Sequence, residues 1–144
     1  MALSAEAVVE HLLQILPADR VVTDEQTLRE RSIDNFRKLQ AIFGVFTMTQ
    51  PAAVAMVAST AEAAAVLKFA DEHGVNVVSR TGGTATEGGL ETQVENSIVL
   101  DGSLMNEIIS IDPYDMQATV GCGVPLQMLE DRCRELGLTT GHSP

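Results

Sequence analysis

The sequence predicts an α+β fold, in which helices come first, a strand–helix–strand unit follows, and an antiparallel hairpin comes last. Two periodic patterns predict this order. Apolar residues recur at helical spacing near the start, and short β-branched runs flank an alanine-rich helix pattern after residue 50. The third observation is the turn sequence Asp112-Pro113-Tyr114-Asp115 between two later strand patterns. With 144 residues, 45% hydrophobic and 20% charged, the chain can bury a core of its own.

Helices are predicted at the beginning of the chain. Ser4 can cap a helix whose apolar residues repeat at helical spacing and which stops near the first proline. Thr23 and Gln26 have the form of a capping box, which predicts a second helix over residues 24–32. We therefore interpret residues 1–50 as a helical lead-in to the rest of the chain.

A strand–helix–strand unit begins after a weakly patterned linker at residues 35–49. Residues 53–58 have the pattern of a buried strand, and Ser59 opens a capping box in front of an amphipathic helix. Gly74 stands where a left-handed residue would end that helix, and residues 75–79 form a second strand. The short connections predict two parallel strands joined by a right-handed crossover.

Three further strands and a final helix follow a glycine-rich loop. The strand patterns cover residues 97–100, 107–111 and 117–121, and the Asp-Pro turn makes the last two an antiparallel hairpin. Pro125 begins the helix and Gly137 ends it. Parallel and antiparallel pieces in one chain define the α+β class.

Charge and composition exclude several function classes. The net charge of −11 leaves no basic surface for a phosphate backbone, and 3% aromatic residues provide few platforms for stacked bases. We therefore expect no nucleic-acid partner. The spacing of Cys122 and Cys133 matches no zinc pattern, and the three histidines lie far apart in the sequence, which argues against a metal site.

The same residues indicate a compartment. Two cysteines fit a reduced protein better than a disulfide scaffold. Glu6 and Glu10 interrupt the region where a signal peptide would have its apolar core, and no stretch is long and apolar enough for a transmembrane segment. We expect a cytoplasmic protein.

The strongest local motif is the glycine-rich loop at residues 80–89. Glycines after a buried strand allow successive backbone N–H groups to point into one concavity, and such a concavity binds anionic oxygen. Threonine hydroxyls and the guanidinium of Arg80 could add donors, which suits a phosphate or pyrophosphate. A flexible surface turn is the alternative. The loop is neither a Walker loop nor a dinucleotide fingerprint, because the glycine spacing and the following residues are wrong for both.

Several other motifs have simpler interpretations. Residues 121–123, Gly-Cys-Gly, are interpreted as a turn before the last helix, and Cys133 as a core residue on an apolar helix face. The acidic residues Glu87, Glu91 and Glu95 are interpreted as a solvated face. A second turn-rich and hydroxyl-rich segment lies at residues 139–144.

A set of motifs in a fixed order covers about residues 50–144. They are Val77-Val78-x-Arg80-Thr81-Gly82-Gly83-Thr84, Gly88-Gly89, Ile98-Val99-Leu100-Asp101, Met105-Asn106, Gly121-x-Gly123-Val124 and Leu136-Gly137-Leu138-x-Thr140-Gly141-His142-x-Pro144. This order resembles the FAD-binding domain of the vanillyl-alcohol-oxidase type, also called the PCMH-type FAD-linked oxidases. Within that group it is most similar to the branch of D-lactate dehydrogenase, glycolate oxidase and alkyl-dihydroxyacetone-phosphate synthase.

The resemblance implies FAD as cofactor and two segments that contact it. The first loop would wrap the pyrophosphate, and the second segment would lie beside the pyrophosphate and the flavin. Some members of the family attach the flavin through a histidine in the first loop; Thr84 stands at that position here, which implies non-covalent FAD. The implied cofactor-binding residues are Arg80, Thr81, Gly82, Gly83, Thr84, Ala85, Thr86, Thr140, Gly141, His142, Ser143 and Pro144.

The resemblance also implies a two-subdomain FAD-binding fold, of which residues 51–144 would be an incomplete part. The catalytic residues and the substrate domain would lie beyond residue 144, so no catalytic residue is assigned, and the chain alone is expected to be inactive. A missing C-terminal region or a partner chain would then complete a dehydrogenase or oxidase of a 2-hydroxy acid such as D-lactate or glycolate. The uncovered edges of such a domain predict marginal stability or self-association.

Two other hypotheses remain at this point. One is a catalytically inactive module that keeps the flavin fold and acts in protein interaction or regulation. The other is an NAD-binding domain, which is disfavoured because the ribose-binding acidic residue and the glycine spacing of that domain are not in place.

Overall fold

The structure, a computed structural model, describes residues 3–37, 44 and 48–142. Four α-helices lie within those residues: α1 (Ala5–Ile15), α2 (Glu25–Arg31), α3 (Thr60–His73) and α4 (Leu126–Glu135). Six strands accompany them: β1 (Val21–Val22), β2 (Ala53–Met56), β3 (Val77–Arg80), β4 (Ile98–Asp101), β5 (Ile108–Asp112) and β6 (Gln117–Val120). The predicted α+β class is confirmed. Part of the predicted linker at residues 35–49 lies outside the described residues.

The first two helices have side-chain caps at their N-termini. The Ser4 hydroxyl accepts a hydrogen bond from the N–H of Ala7, as the sequence predicts for α1. At α2 the cap is Asp24, whose Oδ1 accepts from the N–H of Thr27 at 2.9 Å. The prediction that Thr23 caps this helix is therefore wrong by one residue, because the aspartate carboxylate occupies the position that reaches the first turn.

Two sheets are present, and the first contains the parallel strands. Its order is β1-β2-β4-β3, with β4 parallel to both β2 and β3 and with β1 antiparallel to β2. The predicted strand–helix–strand unit is thus observed, with its two strands parallel, but β4 lies between them. The two-residue strand β1 was not predicted, since two valines are too short a run to show a strand period.

Alternation along β2 assigns helices to both faces of this sheet. Ala53 and Ala55 belong to a core that includes residues from α1 and α3, whereas Val54 packs with Leu28 of α2 and with Val99 of β4. Small alanines on the first face allow α1 and α3 to approach closely. Helix α2 is thereby fixed against the opposite face, and the residues that follow it start from a defined position.

The second sheet is the predicted antiparallel hairpin of β5 and β6. Asp112 begins its turn by accepting hydrogen bonds from the N–H groups of Tyr114 (2.8 Å) and Asp115 (3.0 Å). Helix α4 begins directly after Pro125 and is followed by Gly137 with φ +74°, as predicted. Cys133 is 5% exposed, which confirms its assignment to a core.

Gly121 and Gly123 lie against the segment that connects β4 to β5. The N–H of Gly121 donates to the carbonyl of Glu107, and the N–H of Gly123 donates to that of Met105. A Cβ on Gly121 would lie 2.0 Å from the Met105 carbonyl oxygen, and one on Gly123 would lie 2.4 Å from that of Gly102. The predicted turn is present, and close backbone approach adds a second reason for its glycines.

Candidate functional site

The glycine-rich loop leaves the first sheet at the carboxyl ends of its parallel strands. Strand β3 ends at Arg80, and the loop follows directly. The neighbouring strand ends at Asp101, and the N–H of Gly102 then donates to the Arg80 carbonyl at 2.9 Å. Ligands of α/β sheets bind outside this edge, where the strand order changes. The sheet therefore presents the loop at a favourable position for a ligand.

The loop contains a row of backbone donors without protein acceptors. Within the described part of the chain, the N–H groups of residues 81–87 donate no hydrogen bond to another residue. Thr81, Gly82 and Thr84 are exposed, and Gly83 adopts a left-handed φ of +68°. Exposed N–H groups that the fold leaves unpaired are suited to anionic oxygen.

The side chain of Arg80 lies beneath this row rather than on its open side. The residue is 8% exposed, and a Cβ on Gly83 would lie 2.7 Å from its Nη2 atom. Among the described residues, its Nε and Nη1 atoms are buried without a hydrogen-bond partner. Burial, and next the nearby Arg31, lower the pKa of the Arg80 guanidinium, while Asp101 and Asp34 oppose that shift. A guanidinium stays protonated in proteins, so a buried positive charge lies directly behind the loop.

Asp101 compensates part of that positive charge. Its side chain is fully buried; Oδ2 accepts from Arg31 Nη1 at 3.0 Å, and Oδ1 accepts from the N–H of Ser103 at 2.8 Å. Arg31, Asp34, Arg80 and Asp101 form a group with two charges of each sign, which we call the charge cluster. It gathers residues from α2, β3, β4 and the segment 32–37, which we call the turn after α2 and which ends in the 3-10 helix Asn35–Arg37.

The turn after α2 holds the glycine-rich loop by hydrogen bonds. Asn35 donates its Nδ2–H to the Gly83 carbonyl at 2.8 Å, and the buried carboxylate of Asp34 accepts from the N–H of Gly88 at 3.0 Å. Sequence reasoning missed Asp34 and Asn35, because they lie about fifty residues before the loop and belong to no motif. A helical lead-in was the only role predicted for this region.

The interpretation of Glu91 as part of a solvated acidic face is wrong. Glu91 is 7% exposed and forms an ion pair with Arg37. The ion pair adds a further tie between the turn after α2 and the loop. Glu87 and Glu95 are exposed, as expected.

Gly102 lies between the glycine-rich loop and the turn before α4. A Cβ at this position would lie 2.9 Å from Cys122 Sγ and 3.4 Å from Thr81 Cγ2. Thr81 of the loop and Cys122 of the turn before α4 are therefore both close neighbours of Gly102. Cys122 itself is exposed, and its thiol contacts the Gly102 carbonyl at 3.8 Å.

The second predicted segment folds back on α4. Glu130 accepts hydrogen bonds from the Thr139 hydroxyl (2.9 Å), the Thr140 N–H (2.8 Å) and the Thr140 hydroxyl (2.7 Å). These bonds, those of Thr140 first, lower the pKa of Glu130 to about 2. Because the pKa of Glu130 is lower in the folded protein than its ordinary value, the ionised carboxylate stabilises the folded state. This contribution is present above about pH 4.5 and is lost as the pH falls towards 2.

A cavity of about 430 Å³ opens beside this segment. It is lined by Leu126, Gln127, Glu130, Arg134, Thr139, Gly141 and His142. None of residues 80–86 belongs to that lining, so the cavity does not join the two predicted segments. The implied contacts of Ser143 and Pro144 lie outside the described residues.

The described ranges contain neither a metal-binding cluster nor a membrane-spanning helix. No group of three or more His, Cys, Asp and Glu side chains there is placed to hold a metal ion. No helix there has the length and apolar character needed to cross a membrane.

Comparison with known proteins defines the class to which this fold and loop correspond. Residues 51–144 match the FAD binding domain family, and the chain belongs to that family. Over all 144 residues it is 57% identical to the FAD-linked oxidoreductase YgcU of Escherichia coli strain K12. It covers 30% of the length of YgcU, so the chain spans about a third of this relative.

More distant similarities agree with this class. Over 88 residues, 60% of the chain, it is 34% identical to the mitochondrial D-lactate dehydrogenase [cytochrome] 1 of Saccharomyces cerevisiae and covers 15% of that protein. The fold matches the structure of an alkyldihydroxyacetonephosphate synthase with a TM-score of 0.85 at 19% identity, over 99% of this chain and 29% of the other. The α+β FAD-binding fold predicted from the sequence is thereby confirmed.

Proposed function

We propose that the chain is the FAD-binding portion of a flavin-dependent dehydrogenase or oxidase and that residues 80–86 bind the FAD pyrophosphate. The observation that carries this proposal is the row of unpaired N–H groups in front of the buried guanidinium of Arg80. A pyrophosphate would satisfy these donors, and it would be attracted by the positive charge behind them. The net charge of −11 does not prevent this, because salt screens charges beyond about 8 Å.

The donor set of the loop fits the group that the family binds. Gly82 and Gly83 would be the principal backbone donors, while Thr81, Thr84 and Thr86 add hydroxyl groups. No side chain between residues 80 and 89 is a histidine, cysteine or tyrosine, so none there offers a nucleophile for attachment to the flavin. We propose that FAD is held non-covalently. Bound FAD would supply the acceptor for a hydride taken from the substrate.

The second segment would complete the cofactor site. Residues 140–144 would lie beside the pyrophosphate and the flavin, with Thr140 held in place by Glu130. In this arrangement Glu130 does not contact the cofactor. It orients the backbone of the segment through three hydrogen bonds that persist throughout the ordinary pH range.

Reversible binding of FAD is the first expected result. Titration of the purified protein with FAD should quench the flavin fluorescence and saturate, whereas NADH should not compete. Acid precipitation should leave the flavin in the supernatant, because no covalent bond holds it. Saturable binding of NADH but not of FAD would contradict the proposal, and flavin in the acid pellet would contradict non-covalent attachment.

The variant Gly83→Ala tests the loop itself. Alanine in this left-handed conformation costs about 1–2 kcal/mol, and its Cβ must also displace the Arg80 guanidinium. We expect FAD to bind at least about tenfold more weakly, which corresponds to about 1.4 kcal/mol. The matched control is Gly74→Ala, which has nearly the same φ of +64° and no atom within 4 Å of the new Cβ. Equal FAD affinity of the two variants would argue against pyrophosphate binding by this loop.

We further propose that the substrate is a 2-hydroxy acid such as D-lactate or glycolate. The similarity to a D-lactate dehydrogenase supports this class of substrate. The complete flavoenzyme, in which a C-terminal region or a partner chain supplies the substrate domain, should lose its visible flavin absorbance under anaerobic conditions when D-lactate or glycolate is added. Propionate is the control, because it keeps the carboxylate and lacks the hydroxyl group that is oxidised. Bleaching by a simple alcohol or a phenol, with none by either hydroxy acid, would contradict the proposal.

A further inference from the structure

The turn after α2 joins two distant points of the glycine-rich loop. Asp34 and Asn35 are consecutive residues, and they bind the loop at Gly88 and Gly83. The four residues between those points, 84–87, therefore form a short closed loop. We propose that Asp34 and Asn35 are positioning residues that set the loop for phosphate binding without contacting the phosphate.

The turn is itself firmly placed. Its first residue follows α2, whose Leu28 is buried against the first sheet. Asp34 is fully buried, and its carbonyl accepts from the N–H of Arg37 at 3.1 Å. The Ser32 carbonyl accepts from the N–H of Thr92, just beyond the loop. The contacts to the loop thus start from a rigid support.

Neither of these two hydrogen bonds uses an N–H group of residues 81–87. Asn35 donates to a carbonyl oxygen of the loop. Asp34 accepts from the N–H of Gly88, which lies beyond the row at residues 81–87. Closing a short loop lowers the backbone entropy of its residues before a ligand arrives. Preorganisation of this kind raises affinity because the ordering cost is met on folding rather than on binding.

The charges of the cluster are consistent with this role. A carboxylate near a phosphate site would repel the ligand unless its charge were compensated. Asp34 lies close enough to Arg80 to influence the pKa of its guanidinium, and that guanidinium lies beneath Gly83. The Asp34 carboxylate therefore binds the N–H of Gly88, and the positive charge of Arg80 opposes its negative charge.

The inference rests on FAD binding by residues 80–86, and Asn35→Asp tests it. This substitution keeps the size of the side chain but replaces the amide donor by a carboxylate, which repels the Gly83 carbonyl. We expect about tenfold weaker FAD binding, measured by fluorescence titration, because a charged group replaces a hydrogen bond at the anchor. Asn35→Ala removes the same hydrogen bond without adding a charge, so it should also weaken FAD binding. Unchanged affinity in Asn35→Ala would mean that the aspartate variant acts only by repelling the phosphate, and it would overturn the positioning role.

The matched control is Asn96→Asp. Asn96 also donates its Nδ2–H to a backbone carbonyl, that of Leu3 at 3.0 Å, and its φ of 58° is tolerated by aspartate. Both variants lose the same kind of hydrogen bond, so similar decreases in melting temperature are expected. Only Asn35→Asp should weaken FAD binding; Asn96→Asp should stay within about twofold of the unchanged protein.

Each outcome decides one point. If the unchanged protein does not bind FAD, the proposed function fails. If it binds FAD and Asn35→Asp binds equally well, only the positioning role is overturned. Equal losses of affinity in Asn35→Asp and Asn96→Asp would also overturn it, because the effect would then follow general stability.

Discussion

Gly121→Ala is expected to lower the free energy of unfolding by about 3 kcal/mol or more. The new Cβ would lie 2.0 Å from the carbonyl oxygen of Met105 and 2.8 Å from its carbonyl carbon. Both are backbone atoms, so no side-chain rotation can relieve the overlap. The N–H of Gly121 also donates to the Glu107 carbonyl, and moving the two backbone segments apart would break that hydrogen bond. Urea denaturation followed by circular dichroism measures the change.

Gly82→Ala is the matched control for this effect. The nearest atom to its Cβ is the Thr84 Cγ2 at 3.9 Å, and its φ is not left-handed. We expect the free energy of unfolding to change by no more than about 0.5 kcal/mol. Equal stability of Gly121→Ala and Gly82→Ala would show that the two backbones do not approach as described.

Asp101→Ala is the second variant with a large expected effect, about 3 kcal/mol of destabilisation. The Asp101 side chain is fully buried, binds Arg31 and accepts from the N–H of Ser103. Its removal leaves Arg80, already buried with two unpartnered nitrogen atoms, with Asp34 as the one remaining carboxylate of the charge cluster. An uncompensated buried charge costs more than the ion pair contributes. Chemical denaturation of the variant measures the loss.

Two further variants isolate the cause. Asp101→Asn keeps an oxygen acceptor for Ser103 but lacks the charge, so a destabilisation close to that of Asp101→Ala would assign the effect to charge. Glu72→Ala breaks an exposed pair with Lys68, whose ends are 3.8 Å apart, and should change stability by less than about 0.5 kcal/mol. A change of that small size in Asp101→Ala would contradict the described burial.

Helices and turns of this chain could be predicted because their causes are local. Ser4 caps α1, Gly74 ends α3 with φ +64°, and Asp112 begins the hairpin turn. In each case the residue and its hydrogen-bond partners lie within a few positions of one another. The error at α2, where Asp24 and not the predicted Thr23 caps the helix, is a shift of one residue, because the backbone decides which side chain reaches the first turn.

The candidate site was predicted in part for the same reason. Residues 80–89 follow a strand and contain the glycines and threonines of an anion-binding loop, all within ten positions. That Arg80 turns beneath Gly83, and that Glu91 pairs with Arg37, could not be predicted. A long side chain has several rotamers, and its choice depends on which partners the fold brings near it.

By itself, the sequence determined the four α-helices, the strands β2 to β6, the order of the motifs and the family to which residues 51–144 belong. Only the tertiary structure decided that β4 lies between β2 and β3 and that Asn35 binds the loop at Gly83. The physical reason is sequence separation: this hydrogen bond joins residues 48 positions apart, and no periodicity or local motif records such a pair. Side chains from the predicted lead-in became neighbours of the glycine-rich loop only because packing of α2 on the sheet brought them there.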